Sequence, residues 1–245
     1  MELEIQNLVK RFGGIQALNG VSLRMSGNEL VGLIGPNGSG KTTLVNTIGG
    51  VYEPDGGKIH LNGRNIGHLK SNEVVRHGIG RTFQVPRAFR RMTVMENMLV
   101  PALALYPERG RKAWEVRARE VLDFLTMDHL RNDYARSLSG GQQKLLELGQ
   151  VLMTDPDLLL LDEPFAGVHP RLMETIFDYI TTVHAQGKAF IIISHDMNSI
   201  FTLSQRLLVL SYGQIIADGA PDVVKHDEGV IEAYLGDEAE DARDQ

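Results

Sequence analysis

Cysteine is absent from the 245 residues. That excludes disulfides and thiolate metal sites, and it agrees with a reducing compartment without requiring one. Positive charge is also scarce. The 25 Lys and Arg stand against 31 Asp and Glu, a formal net charge of -6. A protein whose main task is gripping nucleic acid carries a basic excess, so no nucleic-acid partner is expected. No apolar run approaches the ~20 residues that cross a bilayer; Asp157–Leu161 and Ala189–Ile193 are only strand-sized. The opening Met1-Glu2-Leu3-Glu4 has neither a basic nor an apolar signal region. Internal repeats and low-complexity linkers are missing too. The expectation is a soluble, cytoplasmic chain that something else must anchor if it works at a membrane.

What is present supports a packed fold. Hydrophobic residues make up 42%, and a chain of this length buries roughly 70–75% of its unfolded surface. One domain over residues 1–245 is expected. Leu3–Leu8 and Val21–Met25 alternate apolar and polar residues, as half-buried strands do. Leu30–Ile34 is an uninterrupted apolar run ending at Gly35, and Lys41–Ile48 reads as a helix. Lys58–Leu61 and Arg64–Ile66 flank Asn62-Gly63, a hairpin turn in which both residues take positive φ.

From about residue 86 to 151 the pattern turns helical. Thr93 and Glu96 have capping-box spacing, Val116, Val121, Leu122 and Leu125 suggest an apolar helix stripe, and Ser139 precedes a helix carrying Leu145, Leu146, Leu148, Val151 and Leu152. Strands then return at Leu158–Leu161, Ala189–Ile193 and Leu207–Leu210, separated by helical stretches at Arg171–His184 and Asn198–Leu203. Such alternation predicts an α/β fold with a parallel sheet covered on both faces. The acidic tail, 236–245, reads as a frayed, solvated end.

Gly35-Pro36-Asn37-Gly38-Ser39-Gly40-Lys41-Thr42 fits G-x-x-x-x-G-K-[ST]. Glycines let the backbone curl so that successive N–H groups face phosphate oxygens. The following helix, from Lys41 through Thr43, adds free N–H groups and the positive end of its dipole. Lys41 reaches the β- and γ-phosphates in this reading, and Thr42 ligates Mg²⁺. A glycine-rich turn is the alternative, but the setting between a buried strand and a helix favours nucleotide. Asp162-Glu163 closes the strand Leu158–Leu161, where α/β sheets bind ligands. Asp162 suits the Mg²⁺ side, and Glu163 suits a water aimed at the γ-phosphate. On their own, two surface acids at a strand end would be the simpler reading.

Further segments recur in a telling order: Phe12, Gln84, Leu138-Ser139-Gly140-Gly141-Gln142, and Ser194-His195-Asp196. With the two nucleotide motifs they resemble the ordered set of ATP-binding-cassette ATPases over nearly the whole chain. The resemblance implies a P-loop NTPase (RecA-like) core with an N-terminal antiparallel β subdomain and an inserted helical subdomain. It implies ATP and Mg²⁺ as cofactors and ATP hydrolysis as the activity. Phe12 is then expected to stack on adenine, Gln84 to touch Mg²⁺ or the attacking water, and His195 to contact the γ-phosphate. Ser139, Gly140, Gly141 and Gln142 are expected to close over ATP held by a second, head-to-tail ATPase subunit. One position departs: His169 stands where the family commonly has Asp, in a loop that faces the partner.

Arg11-Phe12-Gly13-Gly14, Arg81-Thr82-Phe83-Gln84, Met92-Thr93-Val94-Met95-Glu96-Asn97 and Val230-Ile231-Glu232-Ala233-Tyr234-Leu235-Gly236 resemble the branched-chain amino acid uptake subgroup. That implies transmembrane permease subunits as partners and a peripheral place on the inner membrane face. Arg87, Arg90 and Arg91, interleaved with Phe89 and Met92, fall where the family forms a groove for a short permease helix. A solvated basic face is the alternative. An exporter motor for lipid or polysaccharide shares the same motifs, and a non-transport ATPase of this family is the more distant rival.

Overall fold

The computed structural model describes residues 1–84 and 87–241, and for 235–241 the backbone alone. Pro86, at the expected start of the helical subdomain, and residues 242–245 of the acidic tail lie outside the described residues.

Two long strands, β1 (Glu2–Phe12) and β2 (Ile15–Ser26), pair antiparallel around Gly13-Gly14. They are longer than the alternating stretches suggest. The ladder runs through register shifts near Asn7, whose φ is 47°, and such a bulge breaks the two-residue period without ending the strand. After β3 (Leu30–Ile34) and α1 (Lys41–Ile48), the hairpin β4 (Gly56–Leu61) and β5 (Arg64–Asn65) completes a sheet of order β2-β1-β4-β5. Its turn residues Asn62 and Gly63 take φ of 50° and 78°, the conformation that Asn-Gly tolerates.

The chain continues through α2 (Ser71–Val74) and β6 (Ile79–Arg81) into α3 (Val94–Leu105), α4 (Arg111–Phe124) and α5 (Gly140–Leu152). Thr93 caps α3 and Ser139 caps α5, each in a reciprocal capping box. Then come β7 (Leu158–Asp162), α6 (Pro170–Ala185), β8 (Ala189–Ile193), α7 (Met197–Leu203), β9 (Arg206–Ser211), β10 (Gln214–Gly219), α8 (Pro221–Val224) and α9 (Glu228–Asp241). The second sheet has the order β10-β9-β3-β8-β7-β6. All its pairs are parallel except β10 with β9. The backbone of the acidic tail is helical as far as Asp241.

This second sheet separates two hydrophobic cores. Leu158, Leu160, Ile191, Ile193, Leu208 and Leu210 pack toward α1 and the antiparallel sheet. Their neighbours Leu159, Leu161, Phe190, Ile192, Leu207 and Val209 pack toward the helices on the other face. Alternating side chains of a strand point to opposite faces, so strands covered on both sides read as the continuous apolar runs seen here. Val116 is a correction. It is 61% exposed, because α4 buries Trp114, Ala118, Val121 and Leu122 instead. Val116 lies two residues beyond Trp114, about 200° round an α-helix. Strands β6 and β10 were not legible: β6 is three residues with a central glycine, and β10 lies at the sheet edge.

Candidate nucleotide site

Parallel register brings the functional segments to one edge. Leu33 is level with Ile193, and Ile193 is level with Asp162. The residues that follow β3, β7 and β8 therefore emerge together, at the carboxyl ends of the strands.

Behind β3, residues 35–40 form a loop that only glycine fits at two points. Gly35 has φ 144°, and a Cβ there would stand 2.0 Å from the Leu210 carbonyl oxygen. Gly40 has φ 106°, and its Cβ would stand 2.4 Å from the Ala17 carbonyl oxygen. Helix α1 starts directly after Gly40 with no side-chain cap, so its first N–H groups lack intrahelical partners. Lys41 Nζ donates to the Gly35 and Pro36 carbonyls at 2.6 and 2.7 Å, which folds the cation back over the loop. Asn37, Gly38, Lys41, Thr42, Gln84 and Asp162 share one cavity of about 220 Å³. Gly40, Thr43 and Glu163 line it too. Ser39 is buried beneath, its backbone carbonyl accepting from Gly213.

Asp162 is 3% exposed. Among the described residues neither of its carboxylate oxygens has a partner within strict hydrogen-bond geometry, although the Thr42 hydroxyl stands close enough to favour the ionised form. Burial pushes its carboxyl above the ordinary range, and Arg81, Thr42 and Lys41 oppose that shift without cancelling it. A buried carboxylate with two orphaned oxygens beside Thr42 fits a hard divalent cation that substrate oxygens complete. Asp162, Thr42 and Gln84 all face the cavity.

Glu163 holds φ 52°, a conformation uncommon outside glycine. Three bonds keep it there: its N–H donates to Ile193 O at 3.0 Å, and its carbonyl accepts from Ala166 N–H at 3.3 Å and from Lys144 Nζ at 2.6 Å. Its Oε2 stands 2.7 Å from His195 Nδ1 and accepts the His195 N–H at 3.3 Å. His195 is otherwise open, 74% exposed against 12% for the glutamate. Asp196, next in the chain, caps α7 through Ser199.

Phe12 and one run of four expected residues stand apart from this cavity. Phe12 does not line it; the ring is 42% exposed and meets Tyr52 edge-on at 5.0 Å. Tyr52 in turn lines a wider cleft with Thr42, Gln84 and Asp162. The run Ser139-Gly140-Gly141-Gln142 also lies outside it. Ser139 and Gln142 cap α5 reciprocally, at 3.3 and 2.9 Å. Gly141 lies against α6, where a Cβ would come within 2.6 Å of Leu172 Cδ1, whereas Gly140 faces open space. His169 caps α6, accepting the Arg171 N–H through Nδ1 at 3.4 Å.

Sequence reasoning gave no role at the site to Lys144, Glu147 or Arg81. Glu147 Oε1 accepts the Phe83 N–H at 2.9 Å. Burial pushes its carboxyl up to about 7, while the Phe83 bond and the Lys144, Arg81 and Arg87 charges pull the other way. Burial also lowers Lys144 and Arg81. The one signal available was a glutamate between Leu146 and Leu148, inside the apolar run of α5.

A separate cavity of about 310 Å³ opens between the sheet and the helices, lined by Val75, Ile79, Phe83, Val100, Pro101 and Leu105 among others. Arg81 and Arg87 each place a guanidinium 4.4 Å from the centroid of the Phe83 ring. Asn97, fully buried, fastens the segment beyond it: Oδ1 accepts the Phe89 N–H, and Nδ2 donates to the Phe89 and Thr93 carbonyls. Phe89 itself is 52% exposed, beside exposed Arg90 and Arg91.

Comparison with known proteins agrees with this geometry. A family model described as "ABC transporter" matches residues 18–166, and one described as "Branched-chain amino acid ATP-binding cassette transporter" matches residues 214–240. The probable branched-chain amino acid transport ATP-binding protein LivG of Archaeoglobus fulgidus is 39% identical, over 96% of this chain and 95% of that protein. The high-affinity branched-chain amino acid transport ATP-binding protein BraF of Pseudomonas aeruginosa is 36% identical, over 96% and 98%. A crystal structure of the ADP conformation of an ATP-binding cassette of an ABC transporter superposes with TM-score 0.86 at 37% identity, over 96% of this chain and 99% of that one. A dimeric structure of a bacterial ABC transporter cassette superposes with TM-score 0.82 at 26% identity, over 89% and 98%.

Proposed function

This chain belongs to the ATP-binding-cassette family of ABC transporter ATPases, and from that premise we propose that it hydrolyses ATP to power uptake of branched-chain amino acids or related small polar solutes. The observation that carries the reading is the convergence of Lys41, Thr42, Gln84, Asp162 and Glu163 on one cavity, at the edge where His195 also emerges. The match of residues 214–240 to the branched-chain amino acid cassettes, with relatives named for that transport, supports the substrate class.

In the mechanism, the N–H groups of residues 38–43 bind the β- and γ-phosphates, and Lys41 leaves the Gly35 and Pro36 carbonyls to meet them. Thr42, Asp162 and Gln84 hold Mg²⁺, which when bound neutralises charge on the phosphate oxygens. Glu163 orients and polarises the attacking water. His195, through its bond to Glu163, steadies that carboxylate and offers its ring toward the γ-phosphate. Phe12, with Tyr52, provides the aromatic platform for adenine. Ser139, Gly140, Gly141 and Gln142 belong to the second site of a cassette pair, closing on nucleotide held by the partner subunit. Catalysis is then positioning plus charge stabilisation.

The apolar groove flanked by Arg87 receives a short helix of a permease subunit, and this docking holds the chain at the inner membrane face. Among the described residues no helix is long and apolar enough to cross a membrane. The test is purification of the native complex from detergent-extracted membranes. Polytopic subunits should co-purify, and leucine, isoleucine or valine with its binding protein should stimulate ATP hydrolysis. Association with DNA or ribosomes instead, or stimulation only by lipid or polysaccharide, refutes the proposal.

A further inference from the structure

Helix α5 starts at the exposed Ser139 cap, and its Lys144 and Glu147 share a small pocket with Asp162 and Glu163. Most of its inward positions are apolar: Leu145, Leu146, Leu148, Val151 and Leu152 are buried. Two are not. Lys144 Nζ donates to the Glu163 carbonyl at 2.6 Å. Glu147, 7% exposed, accepts the Phe83 N–H at 2.9 Å, one residue before Gln84. Positions three apart share a helix face, so one turn of α5 grips both elements.

Both bonds go to backbone. They act on where the two segments sit, whatever the side chains beyond them do. Glu163 holds its positive φ of 52° without being glycine, and such a conformation persists only where the surroundings over-determine it. The Phe83 N–H would lack its partner if Glu147 were apolar, and buried unpaired donors are costly. Thr82, Phe83, Lys144, Glu147, Asp162 and Glu163 line one small, partly open pocket of about 10 Å³, which brings both segments and this turn of α5 to one place. Because both contacts are direct hydrogen bonds, a shift of α5 pulls on both segments.

We propose that Lys144 and Glu147 are positioning residues through which α5 sets Glu163 and the Gln84 segment in the geometry for hydrolysis. The inference rests on the nucleotide reading given above. It also supplies a route between two sites: Ser139 at the head of α5 meets the partner's nucleotide, and Lys144 and Glu147 transmit the position of that same helix to the chain's own water and phosphate. Neither residue touches substrate. Binding of ATP by residues 38–43 does not depend on them.

The test is steady-state MgATP hydrolysis by the full-length chain, assembled with the subunits that co-purify, comparing Lys144→Met, Lys144→Arg, Glu147→Ala and Glu147→Gln with wild type and Lys41→Ala. Loss of positioning shows in kcat rather than KM: Lys144→Met and Glu147→Ala are expected to lower kcat about tenfold or more with KM within about twofold. Lys144→Arg keeps a cationic donor, and Glu147→Gln keeps an oxygen acceptor for Phe83, so both are expected to recover most of the lost turnover. Hydrogen exchange at the Phe83 amide should quicken in Glu147→Ala and return to the wild-type rate in Glu147→Gln. If Lys144→Met and Glu147→Ala turn over like wild type, the positioning role is refuted while the nucleotide reading stands. Parallel losses of kcat, ATP affinity and melting temperature, with no recovery in the conservative variants, refute it equally, since they mark a purely structural role. Should Glu147→Ala fail to fold, Lys144→Met, at a half-buried position, decides the matter alone. A wild-type complex indistinguishable from Lys41→Ala in MgATP turnover overturns the underlying reading, and this one with it.

Discussion

Glu147 makes stability depend on pH in a way that can be isolated. Its carboxyl is pushed from 4.5 to about 7, chiefly by burial. Below pH 4.5 the group is protonated in both folded and unfolded chains. Between pH 4.5 and 7 the folded chain holds the proton and the unfolded chain does not, so stability falls as pH rises. Above about 7 the stabilisation by the bound proton is gone. At 1.36 kcal/mol per unit, the change amounts to roughly 3 kcal/mol. Glu147→Gln keeps an acceptor for the Phe83 N–H and removes the titration. The variant should therefore gain on the wild type as pH rises from about 4.5 to 8. For a chain of this size roughly 3 kcal/mol corresponds to about 6–12 °C in melting temperature. The assay is paired thermal unfolding of nucleotide-free wild type and variant across that range. Only the difference between the curves matters, since it cancels the other carboxylates. A difference that stays flat with pH, or one that shrinks as pH rises, refutes the reasoning.

Three further outcomes concern the nucleotide. Lys41→Ala should weaken ATP binding by about 1.5–3 kcal/mol, the scale of a charge-assisted hydrogen bond, and so abolish most of the melting-temperature rise that MgATP confers; an unchanged binding isotherm contradicts the loop assignment. Glu163→Gln should retain ATP affinity, lose about 10²–10⁴ in turnover and accumulate an ATP-bound cassette pair on size exclusion; wild-type turnover removes Glu163 from the chemistry. Ser139→Arg removes the α5 cap, at a cost of about 0.5–2 kcal/mol in stability, but it lies outside the cavity and should leave the nucleotide affinity of the single chain unchanged, yet block ATP-driven pairing. Normal pairing in that variant contradicts closure over a partner's nucleotide.

Much of the architecture could be read from local chemistry. Asn62-Gly63 announces its turn because two adjacent positive φ angles favour those residues. Thr93 with Glu96 marks a helix start because a capping box spans only four residues, and Ser139 marks another as a helix cap. Leu30–Ile34, Leu158–Leu161 and Ala189–Ile193 read as buried strands because both faces are covered. The phosphate loop is legible for the same reason: its glycines, lysine and threonine serve one ligand within eight consecutive positions. Val116 misled because a single apolar residue does not define a helix face, and burial of Trp114, Ala118, Val121 and Leu122 chose another.

The rest depended on contacts between distant segments. No local pattern states that Leu33, Ile193 and Asp162 are level, since register belongs to the ladder between strands. Nor does any local pattern reveal that Lys144 reaches the Glu163 carbonyl or that Glu147 accepts from Phe83; the partners are 19 and 64 positions away, and only chain packing closes those distances. The order of residues thus determined which chemical groups are present and which short segments can curl, cap or turn. Tertiary structure alone decided which of those groups meet, because burial and backbone pairing act through space, without regard to separation along the chain.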